Sequence, residues 1–300
     1  MKRLILLLLL LGSMLSARSM MTATQTCGLF NNLKHTKNNN HLALKPGSRY
    51  EVLRHHKGQY LLKLSDENPA QRWVDEDCLS SDRTLNTVKK RAISQKNLLA
   101  LSWHNAFCET HRYKKECKNP RNSGNFTLHG LWPQPRGKVY CGVPKRYVIA
   151  DREGRWQQLP EPKLSSETRA RLLEVMPGAV SNLHRHEWIK HGTCYGADAE
   201  TYFTHAVNLV HEVRKSTVAT LFQKNAGKRL RIEQVRKAFE QSFGQGSGSR
   251  IELRCKRGLI TEVWLHLGRS DGMLARALTE GSRVNSRCRY GIVDRAGYGR

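Results

Sequence analysis

The sequence contains no Cys-x-x-Cys pair and no His-Glu-x-x-His segment, so the ligand spacings of zinc fingers and zinc hydrolases are missing. No carboxylate cluster surrounds its histidines, which counts against a metal-dependent hydrolase. Its long apolar run, Leu4 to Leu11, is shorter than the roughly 20 residues a bilayer span requires. There is no internal repeat. The Gly-rich stretch Gly244-Gln245-Gly246-Ser247-Gly248-Ser249 lacks the Lys-Ser/Thr of a phosphate-binding loop, and a flexible loop is expected there. Acidic residues are scarce: 25 Asp and Glu stand against 51 Lys and Arg, a net charge of +26 over 300 residues. With 39% hydrophobic residues the chain can build a core and is not generally disordered. The charge points to a polyanionic partner: RNA, DNA, an anionic lipid surface or an acidic glycan.

Lys2 and Arg3 precede the apolar run, and Gly12-Ser13-Met14-Leu15-Ser16-Ala17-Arg18-Ser19 follows it. A charged start, a short apolar stretch and small residues predict a secretory signal over residues 1–19. Cleavage falls either after Ala17 or at the site that Ala17 and Ser19 bracket. Cys27 lies too far from the run for a lipoprotein signal. An exported protein, periplasmic or extracellular and without a membrane span, is expected. Export permits oxidation. The eight cysteines, Cys27, Cys78, Cys108, Cys117, Cys141, Cys194, Cys255 and Cys288, are even in number and predict four disulfides rather than a metal site. No metal and no cofactor are expected.

The positive charge is uneven. Residues 20–90 carry a net +4, residues 91–300 a net +19, and the signal the remaining +3. The first region has short β-like runs, Tyr50-Glu51-Val52-Leu53, Tyr60-Leu61-Leu62-Lys63-Leu64 and Trp73-Val74. Turn signals at Lys57-Gly58 and Asp66-Glu67-Asn68-Pro69 separate them. Residues 20–83 therefore read as a small all-β barrel. The pattern Tyr50-x-Val52, Gly58-x-Tyr60-x-x-Lys63-Leu64, Trp73-Val74 resembles small bacterial barrels of Src-homology-three type over about 40 residues. A bridge between Cys27 and Cys78 would close this module. Its candidate partner is a cell-wall or surface polymer. Residues 84–95, polar and basic, read as a linker.

Residues 96–300 mix strands and helices, an α+β domain. Strands are expected at Leu98–Trp103 and Asn125–His129, then at Ile251–Leu253 and Ile260–Leu265 around Arg257-Gly258. Ser165 begins a helix that ends near Met176. Phe203, Ala206, Val207, Val210 and Val213 recur at helical spacing within Ala199–Phe222. A further amphipathic helix, Ile232–Phe243, stops at Gly244.

Two histidine segments carry the chemistry. In Phe126-Thr127-Leu128-His129-Gly130-Leu131-Trp132-Pro133 a strand ends in a histidine and the glycine is expected to turn the chain. Alone, this reads as a satisfied histidine at a strand end. In His186-Glu187-Trp188-Ile189-Lys190-His191-Gly192-Thr193-Cys194 a helix places His186 with Lys190 and Glu187 with His191 at i,i+4. Gly192 is expected to end it. A solvated face would mix Lys and Glu; two imidazoles beside an ammonium and a carboxylate suit catalysis. Cleavage of RNA by its own 2′-OH needs a base, an acid and positive charge on the phosphorane, and no metal. Two histidines supply the acid and base, and a lysine with another histidine supplies the charge.

Both segments, in this order and 62 residues apart, resemble the signatures of the ribonuclease T2 family, secreted ribonucleases of broad base specificity. The resemblance covers Leu98 to about Cys288. It implies an α+β fold with a central antiparallel sheet, and cleavage of single-stranded RNA to 2′,3′-cyclic phosphate and then 3′-phosphate ends. It assigns His129 and His191 as the acid–base pair, Glu187 and Lys190 to the phosphorane, His186 to the phosphate, and Trp132 to packing beside His129. The expectation is that His129 takes the 2′ proton and His191 protonates the leaving group, with the reverse left open. The resemblance also pairs Cys141 with Cys194 and Cys255 with Cys288, leaving Cys108 for Cys117. Ser102 and His104 flank Trp103 where many members have Gln-Trp-Pro. Leu183 and His184 stand where members often have an aromatic. Both departures bear on base preference. A monomer is expected. The competing reading is a non-catalytic binder of RNA or cell-wall polymer.

Overall fold

A computed structural model of the chain describes residues 19–24, 26–81, 92–118 and 120–297. The expected signal lies outside them except for Ser19, as do residues 84–91 of the expected linker. The chain divides into two compact units, residues 1–89 and 90–300.

In the first unit, β1 (Ser19–Ala23), β2 (Arg49–His56), β3 (Gln59–Lys63), β4 (Gln71–Asp75) and β5 (Leu79–Ser81) form one antiparallel sheet. Its order is β4-β3-β2-β1-β5. Lys57 and Gly58 both take positive φ (49° and 75°), which matches the twist of a two-residue hairpin between β2 and β3. Leu29, Leu44, Leu62 and Val74 make the core, and Cys27 is bonded to Cys78.

The second unit contains strands β6 (Asn97–Trp103), β7 (Phe126–Pro133), β8 (Arg229–Arg231), β9 (Ile251–Lys256), β10 (Leu259–Leu267) and β11 (Tyr290–Ile292). Its helices are α1 (His104–Thr110), α2 (Lys145–Arg152), α3 (Ser166–Val175), α4 (Leu183–Lys190), α5 (Ala199–Arg214), α6 (Thr217–Lys224), α7 (Ile232–Phe243) and α8 (Leu274–Thr279). The sheet runs β7-β6-β10-β11-β8, with β9 on β10 as well. It is antiparallel except where Leu259 of β10 meets Ile292 of β11 in parallel, a departure from a purely antiparallel sheet.

Local chemistry sets the helix ends. The Ser165 Oγ accepts the Thr168 N–H at 3.1 Å and starts α3. Gly244, at φ 92°, stops α7. The helical spacing over Ala199–Phe222 is not one helix. Ser216 interrupts it, its Oγ accepting the Val218 N–H at 3.2 Å, and α6 starts afresh. The apolar face of α5 packs against the buried residues of β6, β7 and β10. Along β10 the strand period of two sends Val263, Leu265 and Leu267 into that core. Glu262, Trp264 and His266 stand on the opposite, accessible face. That face carries the site. Cys108–Cys117, Cys141–Cys194 and Cys255–Cys288 are all bonded.

Candidate active site

The first histidine segment does not turn at Gly130. Strand β7 continues to Pro133, and Leu128 pairs with Leu101 while Gly130 pairs with Ala100. His129 is thus the extra residue of a bulge, a device that re-aims one side chain. Gly130 serves a close approach: a Cβ there would sit 2.0 Å from Glu187 Oε2 and 2.4 Å from Trp132 Nε1.

The second segment folds as α4, which ends at Lys190, before the expected stop. His191 is its C-terminal cap, and Gly192–Cys194 forms a tight 3-10 turn. Gly192 lies under Trp188, with room for no Cβ. Cys194 is bonded to Cys141, and the Tyr140 N–H donates to the Lys190 carbonyl at 2.9 Å. The last turn of α4 is therefore pinned from outside.

All six residues singled out in the sequence, His129, Trp132, His186, Glu187, Lys190 and His191, line one cavity of about 490 Å³. Glu187, 1% exposed, is its floor and not part of a solvated face. Its Oε2 accepts from Trp132 Nε1 at 2.8 Å. Its Oε1 has no hydrogen-bond partner and lies 3.8 Å from both His129 Nε2 and His186 Nε2. Trp132 stands between the histidines, 5.1 Å from the His129 ring and 5.4 Å from the His191 ring. His186 donates from Nδ1 to Asp151 at 2.7 Å and stacks on Trp156 at 4.5 Å.

Two partners of the histidines were not visible in the sequence. Glu262 accepts a 2.7 Å hydrogen bond from His129 Nδ1 and is itself oriented by Trp264 Nε1 at 2.8 Å. Asp151 does the same for His186, its other oxygen taking the Tyr140 hydroxyl at 2.8 Å. The alternation in β10 was the available signal for Glu262, as a carboxylate on the accessible face of an otherwise apolar strand; nothing local marked Asp151.

Electrostatics separate the two catalytic candidates. Burial works against charge on His129, but the Glu262 hydrogen bond and the nearby Glu187 and Glu262 charges outweigh it, and its pKa is raised. Glu262 is held below the usual carboxyl range despite its own burial, chiefly by the His129 bond. Burial pushes His191 down to about 3, helped by Lys190, His186 and His129. Burial raises Glu187.

A second cavity of about 280 Å³ adjoins His129 and Glu262 and is lined by Ser102, Phe107, His111 and Leu183 among others. Of the departures noted above, Ser102, His104 and Leu183 thus line the cavity beside the site. His184 does not: it is buried against Glu161 at 3.0 Å. Among the described residues no group of three or more His, Cys, Asp or Glu side chains is placed to hold a metal ion, and no helix is long and apolar enough to cross a membrane.

An α+β domain that gathers two oppositely tuned histidines, a lysine and a buried carboxyl in one cavity has the groups that acid–base chemistry requires. Residues 94–277 match the model of the Ribonuclease T2 family. Ribonuclease I of Escherichia coli is 30% identical over 232 residues, 67% of this chain and 86% of that protein. Ribonuclease 1 of Arabidopsis thaliana is 28% identical over 159 residues, 47% of this chain and 61% of that one. A crystal structure of Actibind, a T2 ribonuclease, aligns at 17% identity with a TM-score of 0.44, over 70% of this chain and 90% of that one. The chain belongs to the ribonuclease T2 family and is an endoribonuclease. Its four disulfides fit an exported protein.

Proposed function

We propose that the domain cleaves single-stranded RNA of broad base sequence without metal, with His191 as the base and His129 as the acid. This reverses the expected roles. The observation that carries it is the 2.7 Å hydrogen bond between His129 Nδ1 and the Glu262 carboxylate, which favours the protonated ring there, set against the burial of His191 next to Lys190, which favours its neutral form. Neutral His191 removes the 2′-OH proton; the 2′ oxygen attacks phosphorus and forms the cyclic phosphate. The P–O5′ bond breaks, and His129, protonated through its bond to Glu262, gives its proton to the departing 5′ oxygen. The roles exchange when water opens the ring. Lys190 and His186, the latter fixed by Asp151, face the phosphoryl oxygens. Burial favours the neutral form of Glu187, whose Oε1 can then donate to the same group.

The test is RNA cleavage in excess chelator across pH, with detection of cyclic-phosphate ends. Activity is expected from mildly acidic to neutral pH, falling on the alkaline side as His129 loses its proton. Glu262→Gln removes the charge that raises His129, so its pKa drops and the alkaline limb moves to lower pH. A requirement for divalent metal, or an unmoved limb in Glu262→Gln, overturns the assignment.

We read residues 20–83 as a barrel module of Src-homology-three type on a linker at 84–95, with a cell-wall or surface polymer as partner, in an exported monomer. The five-stranded sheet and the Cys27–Cys78 bridge support this. Deleting residues 20–90 is expected to leave cleavage of short RNA unchanged; loss of folding refutes an independent module.

A further inference from the structure

Beyond the catalytic cavity, the accessible face of the sheet leads to an edge rich in arginine. From His129 on β7 the order across the sheet is β6, β10, β9. The segment after α8 then runs along the free side of β9. It is pinned there by the Leu253 N–H, which donates to Ser286 Oγ at 2.9 Å, and by the Cys255–Cys288 bond. Four strand spacings separate this segment from His129, about 19 Å. Stacked nucleotides rise roughly 3.4 Å each along a strand, so this distance exceeds the reach of one or two.

The path between is continuous. Trp264 lines the catalytic cavity and meets Trp132 edge to face at 5.4 Å. Arg254, opposite Glu262 in the β9–β10 register, lays its guanidinium 4.4 Å from the Trp264 ring centroid. Arg254 also lines a surface cleft of about 580 Å³ with Arg287, Arg289 and Tyr290. At its far side Arg229 stacks over Tyr290 at 4.8 Å. The carboxylates here are few. Glu252 contacts Arg254 at 3.0 Å and His266 at 3.3 Å, and Glu233 meets Arg289 at 3.4 Å between two largely exposed side chains. Arg229 and Arg287 form no ion pair among the described residues.

We propose that this arginine edge, entered over the Arg254–Trp264 stack, is a second binding site for single-stranded RNA that holds the chain several nucleotides from the scissile phosphate. Arginine forks take phosphates, and the aromatic and guanidinium faces offer bases a sequence-tolerant platform, in keeping with broad cleavage. A duplex hides its base faces and gains only the phosphate contacts. The proposal rests on the ribonuclease reading and extends it from the scissile phosphate to the length of the substrate.

The test compares a dinucleoside monophosphate with a thirty-nucleotide unstructured RNA, using the full protein. The variant Arg287→Glu/Arg289→Glu lies outside the catalytic cavity. Its kcat and KM on the dinucleotide are expected to stay unchanged, which also reports folding. Its kcat/KM on the long RNA is expected to fall about tenfold at low salt and to converge with the parent at high salt, because two phosphate contacts and the counterions they release are lost. Arg287→Gln/Arg289→Gln should give a smaller loss in the same pattern. Equal losses on both substrates, or none on the long RNA, overturn the second site. Failure of the unaltered protein to cut the dinucleotide overturns the ribonuclease reading instead.

Discussion

His191→Ala and His129→Ala are each expected to lower kcat on RNA by about 10²- to 10⁴-fold, the usual worth of a positioned acid or base. A substrate with a good leaving group separates them. On a uridine 3′-aryl phosphate the departing phenolate needs no proton, so His129→Ala should recover most of its activity. His191→Ala should stay impaired, because the 2′-OH must still be deprotonated. Recovery in His191→Ala and not in His129→Ala would restore the opposite assignment. The prediction follows from the surroundings of each ring. The pKa of His129 is raised, with Glu262 holding Nδ1 at 2.7 Å. His191 is buried among Lys190, His186 and His129, and its pKa falls to about 3.

Gly130→Ala is expected to cost about a hundredfold in kcat/KM, on the scale set by an ångström of misplacement in a catalytic site. The added methyl would overlap Glu187 Oε2 at 2.0 Å and Trp132 Nε1 at 2.4 Å. Neither can retreat easily, since Glu187 is buried and Trp132 packs against His129, His191 and Trp264. Overpacking of this kind typically costs about 1–3 kcal/mol of stability, so melting should be measured beside kinetics. Gly272→Ala is the control, because a Cβ there meets nothing within 4 Å. Equal activity in the two variants would show that the Trp132–Glu187 contact is dispensable.

Much of the site was legible because its groups sit in two short segments. The i,i+4 spacing of His186, Glu187, Lys190 and His191 is a local property of a helix, and strand β7 needs only its own apolar residues. What sequence could not supply is what folding brings from elsewhere. Glu262 is 133 residues from His129, and Asp151 is 35 from His186. Each meets its histidine through the sheet or through helix packing, not through any spacing along the chain. Gly130 misled for the same reason: a glycine between a histidine and an aromatic reads locally as a turn, whereas its cause is a carboxylate from α4 lying against the backbone. The break at Ser216 was hidden because the apolar period continues through it.

The disulfides have a property of order. Taken along the chain, each cysteine is bonded to the very next one: 27 to 78, 108 to 117, 141 to 194, 255 to 288. No two of these loops overlap along the chain. A chain entering an oxidising compartment N-terminus first therefore presents every thiol with its native partner before any competing thiol arrives. Vectorial entry and native connectivity coincide, and the covalent framework can be completed in the order of synthesis without reshuffling.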